Sequence, residues 1–311
     1  MVYHNIKTYK KGYLDVGNGH SIYYELSGNP KGKPVLFVHG GPGGGFSWHD
    51  KRFFDPKLFN IITFDQRGSG RSKPSGSIKN NGTQNLVEDI KKLLDFLRIK
   101  KTYLFGGSWG STLSLVYAIK YPETVMGMVI RGIYLGTKEE NDYFVYDARS
   151  SFPDKWENMI KLVPEGRNPL KHYLNMMRSG DRKTSRKYKL AWCTYEFSVS
   201  KLVFTEQKLK EILKEINFES FSLIELHYLT NNCFLPKDYI LKNACRLDNI
   251  PTVIIQGRYD NVCDPYMAYI LHKNINNSKL HYTLSGHSAS DPETEKLLTR
   301  EINKLGRLKS I

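Results

Sequence analysis

The chain has no Cys-x-x-Cys pair and no His-Glu-x-x-His run, so neither a zinc knuckle, a redox dithiol nor a metalloprotease helix is encoded in it. Its four cysteines, Cys193, Cys233, Cys245 and Cys263, are scattered, which fits reduced thiols and no metal. The nine histidines also lack metal spacing, and His172, His227, His272 and His281 read as helix, loop or strand residues. No apolar run approaches the about 18 residues of a membrane span, and residues 1–7 show no apolar core of a secretory signal. Internal repeats and low-complexity linkers are missing as well. The expectation is a soluble, cytoplasmic protein with no membrane partner and no cofactor. Acidic residues are scarce, 31 against 46 Lys and Arg, for a formal net charge of +15. That excess raises nucleic-acid binding as a reading. Yet the lysines are spread along the chain, and the densest cluster, residues 182–189, has no helix-turn-helix, zinc-finger or RNP-like signature. It reads as a solvated helix face, and no nucleic-acid partner is expected.

What is present is the material for a large core: 311 residues, 40% of them hydrophobic and 25% charged. Residues 12–16 and 21–26 read as two strands joined by a Gly17-Asn18-Gly19 turn. Residues 34–38 and 59–64 are continuous apolar runs, the pattern of strands buried on both faces of a parallel sheet. Further strands are expected at 126–130, 252–256 and 279–284. Thr83 is placed to cap a helix over 84–97, where Leu86, Ile90, Leu93, Leu94 and Leu97 share one face. A last helix is expected over 293–305. Strands alternating with helices predict an α/β fold, a mostly parallel central sheet with helices on both faces. From Thr137 to Leu247 the buried-strand pattern stops. Aromatic, lysine and glutamate residues recur there at helical spacing, and Thr205 caps an amphipathic helix carrying Leu209, Ile212, Leu213 and Ile216. The division expected is residues 1–136 and 248–311 as the sheet domain, with 137–247 a helical cap inserted into it.

Chemistry gathers at Gly106-Gly107-Ser108-Trp109-Gly110. Apolar residues 103–105 precede it as a strand, and residues 111–119 follow as an apolar helix, the strand–turn–helix setting of a G-x-S-x-G nucleophile elbow. A serine hydroxyl is a weak nucleophile at neutral pH and needs a base, an orienting acid and an oxyanion hole. Asp260 follows a strand in Gly257-Arg258-Tyr259-Asp260, and His287 follows another in Ser285-Gly286-His287-Ser288. Serine, acid and histidine thus occur in the α/β-hydrolase order, each at a strand end. His287 is expected to take the Ser108 proton, and Asp260 to hold the imidazole tautomer. One oxyanion donor is the backbone N–H of Trp109. The other is expected from the glycine-rich loop after His39, with Gly41 the candidate and His39 a brace.

The chain resembles the proline iminopeptidases (prolyl aminopeptidases) of the α/β-hydrolase fold. The resemblance runs through His39-Gly40-Gly41-Pro42-Gly43-Gly44-Gly45, Asp65-Gln66-Arg67-Gly68-Ser69-Gly70-Arg71-Ser72, Gly106-Gly107-Ser108-Trp109-Gly110-Ser111-Thr112-Leu113, Arg131-Gly132-Ile133, Gly257-Arg258-Tyr259-Asp260 and Gly286-His287-Ser288. It implies a metal-independent serine aminopeptidase that acts through an acyl-enzyme on peptides with a free N-terminal proline. It also implies two glutamates that hold the substrate amine. A Trp-x-x-Trp-Glu motif maps onto Trp192-Cys193-Thr194-Tyr195-Glu196, and an Ile-Glu-x-His-Tyr motif onto Ile224-Glu225-Leu226-His227-Tyr228. Paired carboxylates within about 4–6 Å of a cation favour its charged form. From spacing alone, each of these glutamates reads as a solvated helix charge. Arg131 is expected to pair with a cap carboxylate.

Three departures bear on specificity. Tyr195 stands for the second tryptophan, and Ser290 stands where an aromatic residue is common. Tyr134 stands for the Phe of Arg-Gly-Ile-Phe, which the resemblance places in the proline-ring pocket. Cys263 shares the loop of Asp260; it is not needed as a nucleophile, but a bulky thiol reagent there is expected to displace the acid. The alternative reading is an esterase or amidase for small uncharged substrates, from which Glu196 and Glu225 would separate a peptidase. A noncatalytic binding protein on the same scaffold is opposed by the complete set of Ser108, Asp260 and His287.

Overall fold

Alternation along the short apolar strands dictates the layers. In a computed structural model, which describes residues 2–203 and 205–308, Leu36 and Val38 face one apolar cluster while Val35 and Phe37 face another. A strand buried on both sides in this way needs helices on both sides. In chain order the first half comprises β1 (Thr8–Gly17), β2 (His20–Gly28), β3 (Lys33–Val38), β4 (Phe59–Phe64), α1 (Thr83–Phe96), β5 (Thr102–Ser108), α2 (Trp109–Lys120) and β6 (Val125–Ile133). Helices follow: α3 (Lys138–Tyr146), α4 (Pro153–Ile160), α5 (Pro169–Met177), α6 (Arg182–Val199), α7 (Glu206–Glu215), α8 (Phe218–Leu229) and α9 (Tyr239–Lys242). The chain then returns to β7 (Thr252–Gly257), α10 (Pro265–Lys273), β8 (Ser278–Thr283) and α11 (Pro292–Arg307).

The strands form one eight-stranded sheet in the order β1-β2-β4-β3-β5-β6-β7-β8. β1 and β2 form an antiparallel hairpin, and β2 meets β4 antiparallel. From β4 across to β8 every neighbouring pair is parallel. The fold is therefore the expected α/β sheet. Residues of α1, α2 and α10 pack in one apolar cluster with one face, and those of α11 with the other. Parallel strands share a direction, so the loops after β3, β4, β5, β6, β7 and β8 all emerge at one end, where ligands of open α/β sheets bind.

Between β6 and β7 the described residues form helices and turns but no strand. Thr205 accepts from Lys208 N and caps α7 as expected. Thr83 does not cap α1. Gly82 occupies the N-cap, and the Thr83 hydroxyl is drawn instead to the carbonyl oxygen of Cys233. Residues 265–273 form α10, to which the sequence reading assigned no element; Asp264 caps it ahead of Pro265. In the basic cluster, Arg182, Lys183, Arg186 and Lys187 are exposed on α6, and Arg186 pairs with Glu219. That is the solvated face expected of them.

The loop after β4 is a brace built from charges. The Asp65 carboxylate accepts from Phe46 N and Arg71 N at 2.8 Å each and from Arg71 Nε at 2.7 Å. Arg67 is buried and meets Asp89 of α1 through Nε and a terminal nitrogen, at 2.6 and 2.8 Å. Its terminal nitrogens also donate to the carbonyls of Asn80 and Val16. Removing one member of a buried pair leaves the other charge without a partner, at a cost of about 3–5 kcal/mol. Arg67→Met is expected to lose stability of that order, read as a lowered midpoint in urea unfolding with an unchanged m-value.

Candidate active site

β5 ends at Ser108 and α2 begins at Trp109, with no intervening loop. The reversal leaves Ser108 at φ 58°, ψ −130°, on the left-handed side that costs a non-glycine residue about 1–3 kcal/mol. Close backbone approach explains the flanking glycines. A side chain on Gly110 would collide with the carbonyl oxygen of Val38, and one on Gly106 would stand 2.8 Å from Ser114 Oγ. The Trp109 N–H lies in the first turn of α2, where backbone donors have no intrahelical partner. The Trp109 indole donates to Gln66 Oε1 at 2.9 Å and packs edge-on against Tyr228, ring centroids 4.7 Å apart.

At the ends of β7 and β8 the structure brings Asp260 and His287 together. Asp260 Oδ2 meets His287 Nδ1 at 2.8 Å and accepts from Gln256 Nε2 at 3.0 Å. Its Oδ1 accepts from the backbone of Val262 and Cys263 at 2.9 and 2.8 Å. The carboxylate is thus fully engaged, and its proton partner is the ring nitrogen that a general base would keep protonated. Gly132, next to the cross-strand partner of Ser108, passes close beneath; a Cβ there would lie 2.9 Å from His287 Cε1. Ser108 lies close to Cys263. Among the hydrogen bonds of the described residues none joins Ser108 to His287. Burial pushes the Cys263 thiol well above its usual range, with the Asp260 charge acting in the same direction, so this sulfur stays protonated.

The glycine-rich loop after β3 lies against the elbow, and a Cβ on Gly40 would stand 3.4 Å from Ser108 Cβ. His39 does brace it. Its Nε2 accepts from Gln66 N at 2.9 Å, Nδ1 sits between Gly40 O and Gly45 N, and Gln66 Nε2 donates back to His39 O. Burial lowers the pKa of this imidazole, consistent with a neutral ring that accepts hydrogen bonds. Gly41 follows at φ 110°. Gln66 thus joins the glycine loop to the elbow tryptophan. Nothing in the local pattern around Gln66 signals that role, because both of its partners are distant in the chain.

α8 lies directly on that loop. A Cβ on Gly43 would stand 2.9 Å from Phe221 O and 3.1 Å from Ile224 Cβ. Phe221, Ile224, Glu225 and Tyr228 share a face of α8, so the face that touches the glycine loop and Trp109 also carries Glu225. Across from it, α6 supplies Glu196. Both glutamates are buried beside each other, and Trp192 Nε1 donates to Glu225 Oε2 at 2.6 Å. Glu196 Oε2 is buried without any hydrogen-bond partner. These are not solvated helix charges. Burial drives the Glu196 carboxyl up to about 7, and burial with the charge of Glu196 drives Glu225 well above the carboxylate range. A pair in this state holds a proton at neutral pH.

One expectation needs correction. Arg131 makes no ion pair with a cap glutamate; its guanidinium donates to the backbone oxygen of His287 and fills the space left by Gly107. It projects from β6 towards the β8 end of the sheet, beneath the histidine loop. The Tyr134 hydroxyl is fully engaged, donating to Asn141 Oδ1 at 2.7 Å and lying 3.4 Å from Cys233 Sγ. Among the described residues no group of three or more His, Cys, Asp or Glu is placed to hold a metal ion. No helix among them is long and apolar enough to cross a membrane.

Comparison with known proteins agrees with this architecture. The α/β hydrolase fold family matches residues 33–294. A probable proline iminopeptidase of Leptolyngbya boryana is 41% identical over 284 residues, 90% of this chain and 88% of that protein. A proline iminopeptidase of Arabidopsis thaliana is 39% identical over 297 residues, 94% of this chain and 78% of that one. Among solved structures, an α/β hydrolase from a Medee basin deep-sea metagenome superposes with a TM-score of 0.70 at 19% identity, covering 96% of this chain and 98% of that one. A proline iminopeptidase-related protein from Thermus thermophilus gives 0.67 at 18%, covering 96% and 97%. At such identities the two structures speak for the fold alone. With its elbow at the carboxyl end of a parallel sheet and this degree of identity over nearly its whole length, the chain belongs to the α/β hydrolase family and, within it, to the proline iminopeptidases.

Proposed function

We propose that this aminopeptidase removes N-terminal proline from peptides, with Ser108 as nucleophile, His287 as general base and acid, and Asp260 as the group that orients His287. The observation that carries the substrate reading is the buried Glu196–Glu225 pair with one oxygen unpartnered, on helices packed against the elbow and its glycine loop. A buried acceptor without a donor is costly, and a protonated secondary amine supplies both donor hydrogens and the compensating charge. An internal peptide bond presents no such cation, which accounts for cleavage at the N-terminus only. Tyr134, tied by its hydroxyl to Asn141, offers its ring face to the proline and not a free hydroxyl. Residues 137–247 then act as a cap on the domain formed by 1–136 and 248–311.

In turnover, Ser108 yields its proton to Nε2 of His287 and attacks the prolyl carbonyl. The oxyanion is received by the N–H groups of Trp109 and Gly41. His287 delivers the proton to the departing amine, giving a prolyl-enzyme that water hydrolyses by the same steps in reverse order. Asp260 stabilises the imidazolium throughout.

Ser108→Ala is expected to abolish hydrolysis of proline p-nitroanilide; turnover near the parental rate would show that the nucleophile lies elsewhere. Glu196→Gln and Glu225→Gln should each lower kcat/KM for that substrate by the equivalent of about 2–5 kcal/mol. Hydrolysis of p-nitrophenyl acetate, which has no amine, should hardly change. Equal parental rates on free and N-acetylated proline anilides would remove the case for an amine site. A pH dependence follows from the carboxyl pair. The amine cation binds the deprotonated form of the group raised to about 7, so acid competes with substrate. Below that pH the KM for proline p-nitroanilide should rise by about tenfold per pH unit for one proton displaced, and Glu196→Gln should flatten the slope. A KM constant between about pH 5.5 and 7.5, the window around that raised carboxyl, would contradict it.

A further inference from the structure

α3 is short, yet neighbouring residues of it reach both the acid loop and the helices that carry the carboxyl pair. Glu140 is buried and accepts from the backbone of Leu135 and Thr137 at 2.8 and 2.9 Å, fixing the turn after β6. Asn141 accepts from Tyr134 and donates to Leu229 O at the end of α8. Phe144 packs edge-on against Trp192, centroids 5.6 Å apart, and its carbonyl accepts from the Tyr195 hydroxyl at 2.7 Å. Trp192 in turn holds Glu225. Between these, half-buried Tyr143 points the other way and donates its hydroxyl to the backbone oxygen of Asp260 at 2.7 Å. Among the described residues it is the only group from 137–247 that hydrogen-bonds Asp260.

We propose that Tyr143 is a positioning residue for the catalytic acid, clamping the Asp260 peptide and tying the acid loop to the helix that also anchors the amine-binding side chains. The link to the amine site rests on the function proposed above; the clamp on Asp260 does not. Four donors fix the Asp260 carboxylate, His287 and three others, and those three, Gln256, Val262 and Cys263, belong to β7 and the acid's own loop. The Val262 and Cys263 contacts would travel with the loop if its peptide rotated, while Gln256, held in β7, and His287 would not. The Tyr143 contact is external to the loop and opposes that rotation. With both ends held, α3 sets the spacing between the carboxyl pair and the acid, and a displacement of about 1 Å in such a constellation lowers turnover by up to about 100-fold.

Tyr143→Phe keeps the ring and removes only the donor. In the full-length enzyme, kcat per active site, with sites counted by titration with a fluorophosphonate, is expected to fall about tenfold on both proline p-nitroanilide and p-nitrophenyl acetate. KM should stay within about twofold and the melting temperature within about 3 °C. A parental kcat per titrated site would overturn the proposal, and so would a loss explained by fewer titratable sites or by KM alone. The ester separates this proposal from the proposed function. If the parent enzyme ignores the amine but Tyr143→Phe still slows the ester, the substrate reading fails and the positioning role stands. If the parent prefers free proline and Tyr143→Phe changes neither rate, the positioning role fails by itself.

Discussion

The approach of Gly110 to the carbonyl oxygen of Val38 is the contact on which the site depends. It lets α2 start directly at the end of β5, so that the chain reverses within one residue and Ser108 is left with φ at 58°. Any side chain at position 110 would force α2 away from β3, taking the first-turn N–H groups with it. The strain at the serine is held by the sheet on one side and by the apolar packing of α2 on the other.

Around that turn the polar groups form a rigid support. Gln66 bonds the Trp109 indole with its oxygen and the His39 carbonyl with its nitrogen, so one side chain locks the elbow to the glycine loop. Asp65 and Arg71 tie the same loop down at Phe46, and Arg67 anchors the whole to α1 through Asp89. Backbone groups of the glycine loop and the elbow cannot be tuned by substitution; they are placed by bracing. That is the physical content of the Asp-Gln-Arg-Gly-x-Gly-Arg-Ser run.

The helical segment contributes a buried pair of carboxyl groups. Glu196 and Glu225 lie near Cys193, whose thiol burial pushes up, and Trp192 donates to Glu225. The same burial that makes them useful makes them hard to read from sequence, because a glutamate at helical spacing ordinarily faces solvent. Only the resemblance pointed to them.

The sheet strands, the elbow and the order of Ser108, Asp260 and His287 were legible in the chain because each is a local pattern: apolar runs of strand length, a glycine on either side of a serine, a polar residue just after a strand. The glycine loop and the cap on α7 were legible for the same reason. What the sequence could not reveal is where long side chains end. Thr83 bonds a residue 150 positions away in place of capping its helix, and Arg131 reaches the His287 carbonyl and not a glutamate. Tyr143 crosses from α3 to Asp260. Backbone conformation follows from neighbours in the chain. The partner of a buried donor is decided by whichever acceptor the folded sheet and helices bring within about 3 Å, and that is known only once the layers have closed.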